Sequence, residues 1–181
     1  MAASSKRTDG AFTVSLRSLP RRSGEAKSLE RTAAAPDGLL VGLAGIAPGS
    51  AIRFALQLEA VGEGVLVSGR ADAELTGQCS RCLAPIARPF GVFFQELYVY
   101  PGRDGEGENL SLITDEAIDL EPAVRDALLL DLPLAPLCGD DCLGLCASCG
   151  ANLNDDPAHS HGPAVDIRWR GLSGWVASQA D

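Results

Sequence analysis

No stretch of this sequence is long and apolar enough to span a membrane. The start, Met1–Thr8, is polar and basic with no apolar run behind it, so export is not expected either. A Gly-rich phosphate loop, a nucleophile elbow and a histidine spaced to activate a serine or cysteine are all lacking, so no catalytic class is indicated. Repeats and low-complexity blocks are absent too. Histidine is scarce: the chain has 2, both in His159-Ser-His161. Basic residues are outnumbered, 15 Lys and Arg against 24 Asp and Glu, for a net charge of −9. The imbalance is uneven, with 11 basic and 9 acidic side chains in residues 1–100 and 4 and 15 in residues 101–181. An acidic C-terminal half repels phosphate and suits a basic protein partner, so any nucleic-acid contact belongs to the N-terminal half.

What is present is cysteine in a pattern. Of 6 cysteines, four fall in Cys138-GDD-Cys142-LGL-Cys146-AS-Cys149, and the others form Cys79-SR-Cys82. Two thiolates separated by two residues can turn inward on one ion, and Gly150 after the second Cys lets the backbone curl round it. Disulfides need an oxidising compartment, and buried free thiols are usually scattered, so a structural metal is the expectation. With the two histidines there are eight candidate ligands, enough for two four-coordinate zinc sites. Sequential pairing puts Cys79, Cys82, Cys138 and Cys142 on one ion and Cys146, Cys149, His159 and His161 on another. The rival grouping unites Cys138, Cys142, Cys146 and Cys149 and leaves Cys79 and Cys82 to the histidines. The Cys142, Cys146, Cys149 spacing also matches that of an iron–sulfur cluster, although the short chain has no strand–helix repeat to house one. Two loop histidines beside Asp155 and Asp156 can equally be solvated.

The 46% hydrophobic and 22% charged composition, with 20 Gly and 11 Pro, is that of a globular protein rich in turns. Residues 1–10 read as a disordered tail, 11–135 as an antiparallel sheet plus helix, and 136–181 as a Cys-rich segment packed with the rest as one domain. Residues 11–19 alternate as a strand, and 20–31 read as a basic loop in which Arg21 and Arg22 are phosphate candidates. Residues 39–46 form a short apolar segment. The clearest β signal is the pair 51–61 and 65–75 about Gly62-Glu-Gly64, an antiparallel hairpin. Residues 86–100 continue the sheet, and 101–109 read as a mobile loop. Asp119 can cap a helix over 120–130, with Pro122 in its first turn and Pro133 and Pro136 after it. Asp166 begins a weak last helix that includes Trp169 and Trp175. The fold class expected is α+β: a twisted antiparallel sheet or partial barrel with one main helix and a zinc-binding C-terminal segment.

The strings Cys79-S-R-Cys82-L, Ile118-D-L, R125-D-A-L-L-L-D-L-P-L-A-P-L-Cys138 and G144-L-Cys146-A-S-Cys149-G-A-N-L-N resemble the YceD family, the large ribosomal RNA subunit accumulation proteins. The resemblance covers about residues 11–176. It implies a bacterial-type cytoplasmic protein needed for normal levels of large-subunit rRNA, with no known enzymatic activity. The family is also associated by gene neighbourhood with a small zinc-binding ribosomal protein of the large subunit. Many relatives carry a further cysteine pair after N-L-N, where this chain has His159 and His161; the exchange suits zinc. The expected function is thus non-catalytic: large-subunit rRNA or a basic ribosomal protein is bound on a surface that structural zinc stiffens, with no membrane or small-molecule substrate. Arg81, between two ligands, and Arg88 are the best-placed bases for rRNA. The rivals are a thiol-based redox or zinc-release sensor, a zinc-bearing protein-interaction module and a maturation nuclease.

Overall fold

A computed structural model describes residues 10–102, 110–161 and Arg168. The expected N-terminal tail up to residue 9, most of the 101–109 loop and the last helix with its two tryptophans lie outside the described residues. The chain divides into two compact units, one ending at Cys138 and the other beginning at Gly139. As the alternation predicts, the first is mostly antiparallel sheet with one helix.

The strands are β1 (Thr13–Ser15), β2 (Ala26–Ala34), β3 (Leu40–Val41), β4 (Ala44–Ile46), β5 (Ala51–Ala60), β6 (Gly64–Gln78), β7 (Pro85–Val99), β8 (Ser111–Leu112) and β9 (Ala117–Asp119), and the helix is α1 (Glu121–Asp131). The long β6 is the spine. β7 pairs with it from Gly64↔Val99 to Gln78↔Pro85. On its other edge β5 pairs over Val65–Asp72 and β4 over Leu75–Gly77. β2 extends the sheet beyond β5, while β1 and β9 form a separate two-stranded sheet.

Alternation decides which side is buried. In β5, Ile52, Phe54, Leu56 and Leu58 are buried while Arg53, Ala55 and Gln57 are exposed. With a side-chain period of two, this register puts four apolar residues on one face. Val65, Val67 and Ala71 of β6 and Val92, Phe94 and Tyr98 of β7 join them in one core with Val14, Ile118, Val124 and Leu128. Each large side chain so buried contributes roughly 1.5–3 kcal/mol. A smaller cluster of Ala44, Leu75 and Leu132 lies toward the Cys79 end of β6.

Two local readings are corrected. Residues 20–31 are not a loop throughout: Ala26 onward is strand, because nine successive pairs with β5 supply the hydrogen bonds. The strand expected over 11–19 is confined to Thr13–Ser15. The expected cap is present: Asp119 Oδ1 accepts the Glu121 N–H at 2.9 Å, one residue ahead of the N-cap position, Leu120. Pro122 does fall in the first turn, and the helix stops at Asp131, before Pro133.

Candidate metal centres

Cys79 and Cys82 lie in the turn between β6 and β7, where the chain reverses around them. The Cys79 N–H donates to the Ala84 carbonyl at 2.8 Å, and the Leu83 N–H donates back to the Cys79 carbonyl at 2.9 Å. The second unit repeats the pattern at Cys146 and Cys149. There the Cys146 N–H donates to the Ala151 carbonyl at 2.8 Å, and the Gly150 N–H to the Cys146 carbonyl at 2.8 Å. In both knuckles the residue after the second Cys is left-handed, Leu83 at φ 59° and Gly150 at φ 76°. That twist aims both thiols of a pair to the same side.

In the first unit a second segment meets its knuckle. The Ser80 N–H donates to the Pro136 carbonyl at 2.7 Å, which leads the chain to Cys138. The Cys82 and Cys138 Sγ atoms are 3.6 Å apart. Thiolates held about 2.3 Å from one tetrahedral zinc stand roughly 3.8 Å apart, whereas a disulfide would require about 2.05 Å. The thiols of Cys79, Cys82 and Cys138 all lie within 4.8 Å of one another. Burial pushes the Cys79 thiol up, but hydrogen bonds from the backbone at Cys82, Arg81 and Cys138, with one from the Cys82 side chain, outweigh it. Its pKa falls from 9.0 to about 6. Arg81 donates its backbone N–H to the Cys79 sulfur at 3.4 Å.

All four predicted donors of the other site lie in the second unit. The ligand atoms of Cys146, Cys149, His159 and His161 are within 4.8 Å of one another. Cys149 Sγ is 3.2 Å from Nε2 of each histidine, and the two Nε2 atoms are 3.0 Å apart. For zinc with nitrogen ligands at about 2.0 Å, the tetrahedral edge is roughly 3.3 Å. Hydrogen bonds from the backbone at Ser148 and then Cys149 lead the causes that bring the Cys146 thiol from 9.0 down to about 7, with help from the Cys149 and His161 side chains against its burial. Two thiols and two imidazoles converging on one point form a donor set that suits zinc.

The histidines therefore stand with Cys146 and Cys149, while Cys79 and Cys82 stand with Cys138; the rival grouping is not adopted. Cys142 is buried in the second unit, where Asn154 organises its surroundings. The Asn154 Nδ2 donates to Cys142 Sγ at 3.5 Å and its Oδ1 accepts the Leu143 N–H at 2.8 Å. Sequence reasoning missed this role; the signal was the N-L-N segment itself. Among the predicted bases, Arg81 and Arg88 are exposed, as is Arg22. Arg21 is committed to Glu116, Nη2 to Oε1 at 2.8 Å, and lies 5.5 Å from the Tyr100 ring centre.

These features define a mostly antiparallel α+β protein with two knuckle-based clusters that can hold metal. Residues 67–174, which contain every candidate ligand, match the family model "Large ribosomal RNA subunit accumulation protein YceD". The chain belongs to the YceD family. It is 36% identical over 174 residues to Rv2926c of Mycobacterium tuberculosis, covering 94% of this chain and 84% of that protein. ML1660 of Mycobacterium leprae is 34% identical over 163 residues, 88% of this chain and 75% of that one. A short match, 45% over 40 residues, joins 22% of this chain to 14% of the maize "Large ribosomal RNA subunit accumulation protein YCED homolog 1, chloroplastic". No solved structure gives a significant match. Among the described residues no helix is long and apolar enough to cross a membrane.

Proposed function

We propose that this chain is a non-catalytic cytoplasmic factor for the accumulation of large-subunit ribosomal RNA. It binds rRNA or a basic ribosomal protein through a surface that structural zinc keeps rigid. The observation that carries this reading is the family match over residues 67–174, inside which every candidate ligand falls. One ion is held by Cys79, Cys82 and Cys138, with Cys142 as fourth donor because it follows Cys138 by only four residues. The other is held by Cys146, Cys149, His159 and His161. Bound zinc supplies no redox chemistry, only a tetrahedral crosslink that fixes the knuckles. Arg81 then projects from a backbone restrained at both neighbouring thiols and, with Arg88, offers charge to phosphate; Arg21 and Arg22 are the further candidates in the N-terminal half.

The test is genetic. A bacterium stripped of its YceD-family protein is complemented with this chain or with its Cys79→Ser variant, and the ratio of large- to small-subunit rRNA is measured. The wild-type chain is expected to restore the ratio and the variant to fall short. Failure of the wild-type chain, expressed and folded, overturns the reading.

A second reading has its own support in the exposure of Cys149 and His161. In a redox sensor, peroxide would oxidise the Cys146 and Cys149 thiolates to one disulfide, be reduced to water, and release the ion. Zinc content and thiol count before and after mild peroxide separate the two: unchanged values favour the structural role.

A further inference from the structure

β7 is paired with β6 along its whole length, but its other edge meets β8 only at Tyr98 and Val99. Among the described residues no strand pairs with that edge over Gly91–Glu96. Instead a groove of about 550 Å³ separates the edge from α1. Six consecutive residues, Gly91–Glu96, form its strand wall. Consecutive strand residues point to opposite faces, and the groove reaches all six of them on the strand whose outer edge has no partner there among the described residues. Such an edge presents a row of N–H and C=O groups that can template another strand.

The helix wall is built to leave room. Ala123 and Ala127, one turn apart, face the groove with only methyl groups. At its margins Phe93 is 76% exposed and Leu130 88% exposed, large apolar surfaces of the kind that mark an interaction site. The ionisable side chains lining the groove are Glu96, Asp126 and Asp131, all acidic; the nearby Arg70, 4.9 Å from the centre of the Phe93 ring, is ion-paired with Asp72 at 2.7 Å. Glu96 also accepts a hydrogen bond from the Ser111 hydroxyl at 2.7 Å, which holds its carboxylate in place.

We propose that this edge takes up an extended, lysine- or arginine-bearing segment of a partner protein as an added strand. The backbone supplies the ladder, Phe93 and Leu130 grip apolar side chains of the segment, and the three carboxylates select for positive charge. A phosphate backbone is disfavoured by that same rim, so the occupant is protein and not RNA. The inference deepens the function proposed above by giving its protein partner a chemistry, yet it is tested without ribosomes.

The probe is a fluorescein-labelled Lys-Val-Lys-Val-Lys peptide, with Glu-Val-Glu-Val-Glu as control, added to the full chain at low salt. Fluorescence anisotropy is expected to show binding of the cationic peptide alone. Asp126→Lys with Asp131→Lys, both at exposed positions, should weaken it by roughly tenfold or more. Ala127→Phe, which fills the groove without altering charge, should abolish it. Hydrogen exchange of the amides in Gly91–Gln95 that do not bond to β6 should slow when the cationic peptide is added. Absence of binding, equal binding of the acidic peptide, or indifference to both variants would overturn the proposal. So would full protection of those amides in the free chain, since the protein's own polypeptide would then fill the edge. A rescue failure in the rRNA assay leaves this measurement unaffected, which separates the two readings.

Discussion

Leu83 and Gly150 occupy equivalent places in the two knuckles, each directly after the second cysteine and each in the left-handed region, at φ 59° and 76°. Both donate an N–H to the carbonyl of the first cysteine of their pair. Only glycine adopts that conformation without strain. A non-glycine residue there costs about 1–2 kcal/mol, and the extra unfolded-state freedom of glycine takes back about 0.5–1 kcal/mol. Leu83 is 52% exposed, so little packing is lost on truncation. Leu83→Gly is expected to stabilise the first unit by ~0.5–1 kcal/mol in urea unfolding, whereas Gly150→Ala should weaken metal retention in the second. A clear loss of stability in Leu83→Gly would mean that its side chain matters more than its backbone.

Elemental analysis of protein purified without added metal should give about two zinc ions per chain. Cys138→Ser should leave about one, and Cys149→Ser should also leave about one, because each substitution breaks a different donor set. Stripping both ions with a chelator should expose the amides of Cys79 and Leu83 to exchange while those of Phe54 and Val67 stay protected. The reason is that the sheet core is buried by its own apolar residues and does not depend on the knuckles. Parallel loss of protection in β5 and β6 would show instead that the ion holds the whole sheet together.

How far these features were legible in the sequence depended on whether their cause was local. The β5 and β6 pairing could be read from alternation about Gly62-Glu-Gly64, since the turn and both faces lie within one stretch. Both knuckles were legible for the same reason. β2 was not: its half-buried side is Leu29, Arg31 and Ala33, and the charged Arg31 breaks the apolar alternation in the sequence, so its strand state is visible only in its pairing with β5. Likewise the Ser80 bond to Pro136 joins two backbone groups, which leave no mark on residue type. Asn154 was visible as part of a motif, but its role at Cys142 required the turn that brings Leu143 and Asn154 together.

Tyr98 gives the first unit a pH dependence on the alkaline side. Its hydroxyl donates to the Asp119 carbonyl at 2.9 Å. Burial, and then the charges of Glu96 and Asp119, push its pKa well above the ordinary 10.0. A group whose pKa is raised by folding contributes stability that is complete below its unfolded value and fades as pH climbs toward its folded one. Unfolding free energy should therefore fall as pH rises above about 10. Tyr98→Phe, measured by urea unfolding, should be ~1–2 kcal/mol less stable at neutral pH and lose less on going alkaline. Identical alkaline slopes for both proteins would remove Tyr98 as the source.

Close approach of β4 to β6 depends on Gly77, opposite Ala44 and two residues before Cys79. A methyl group at Gly77 would collide with the Leu43 carbonyl oxygen and crowd Ala44. Backbone cannot yield as a flexible side chain does, so the strands must part. Overpacking of this kind costs about 1–3 kcal/mol, which in a protein of this size lowers the melting temperature by roughly 2–12 °C. Gly62→Ala is the control, because nothing lies within 4 Å of the added carbon there. Since the displaced strand leads directly into the first knuckle, Gly77→Ala should also reduce zinc retention at Cys79 while leaving the second site loaded. Equal melting temperatures for the two alanine variants would show that β4 can move aside freely, and that the knuckle is set by its own hydrogen bonds and not by the strand that delivers it.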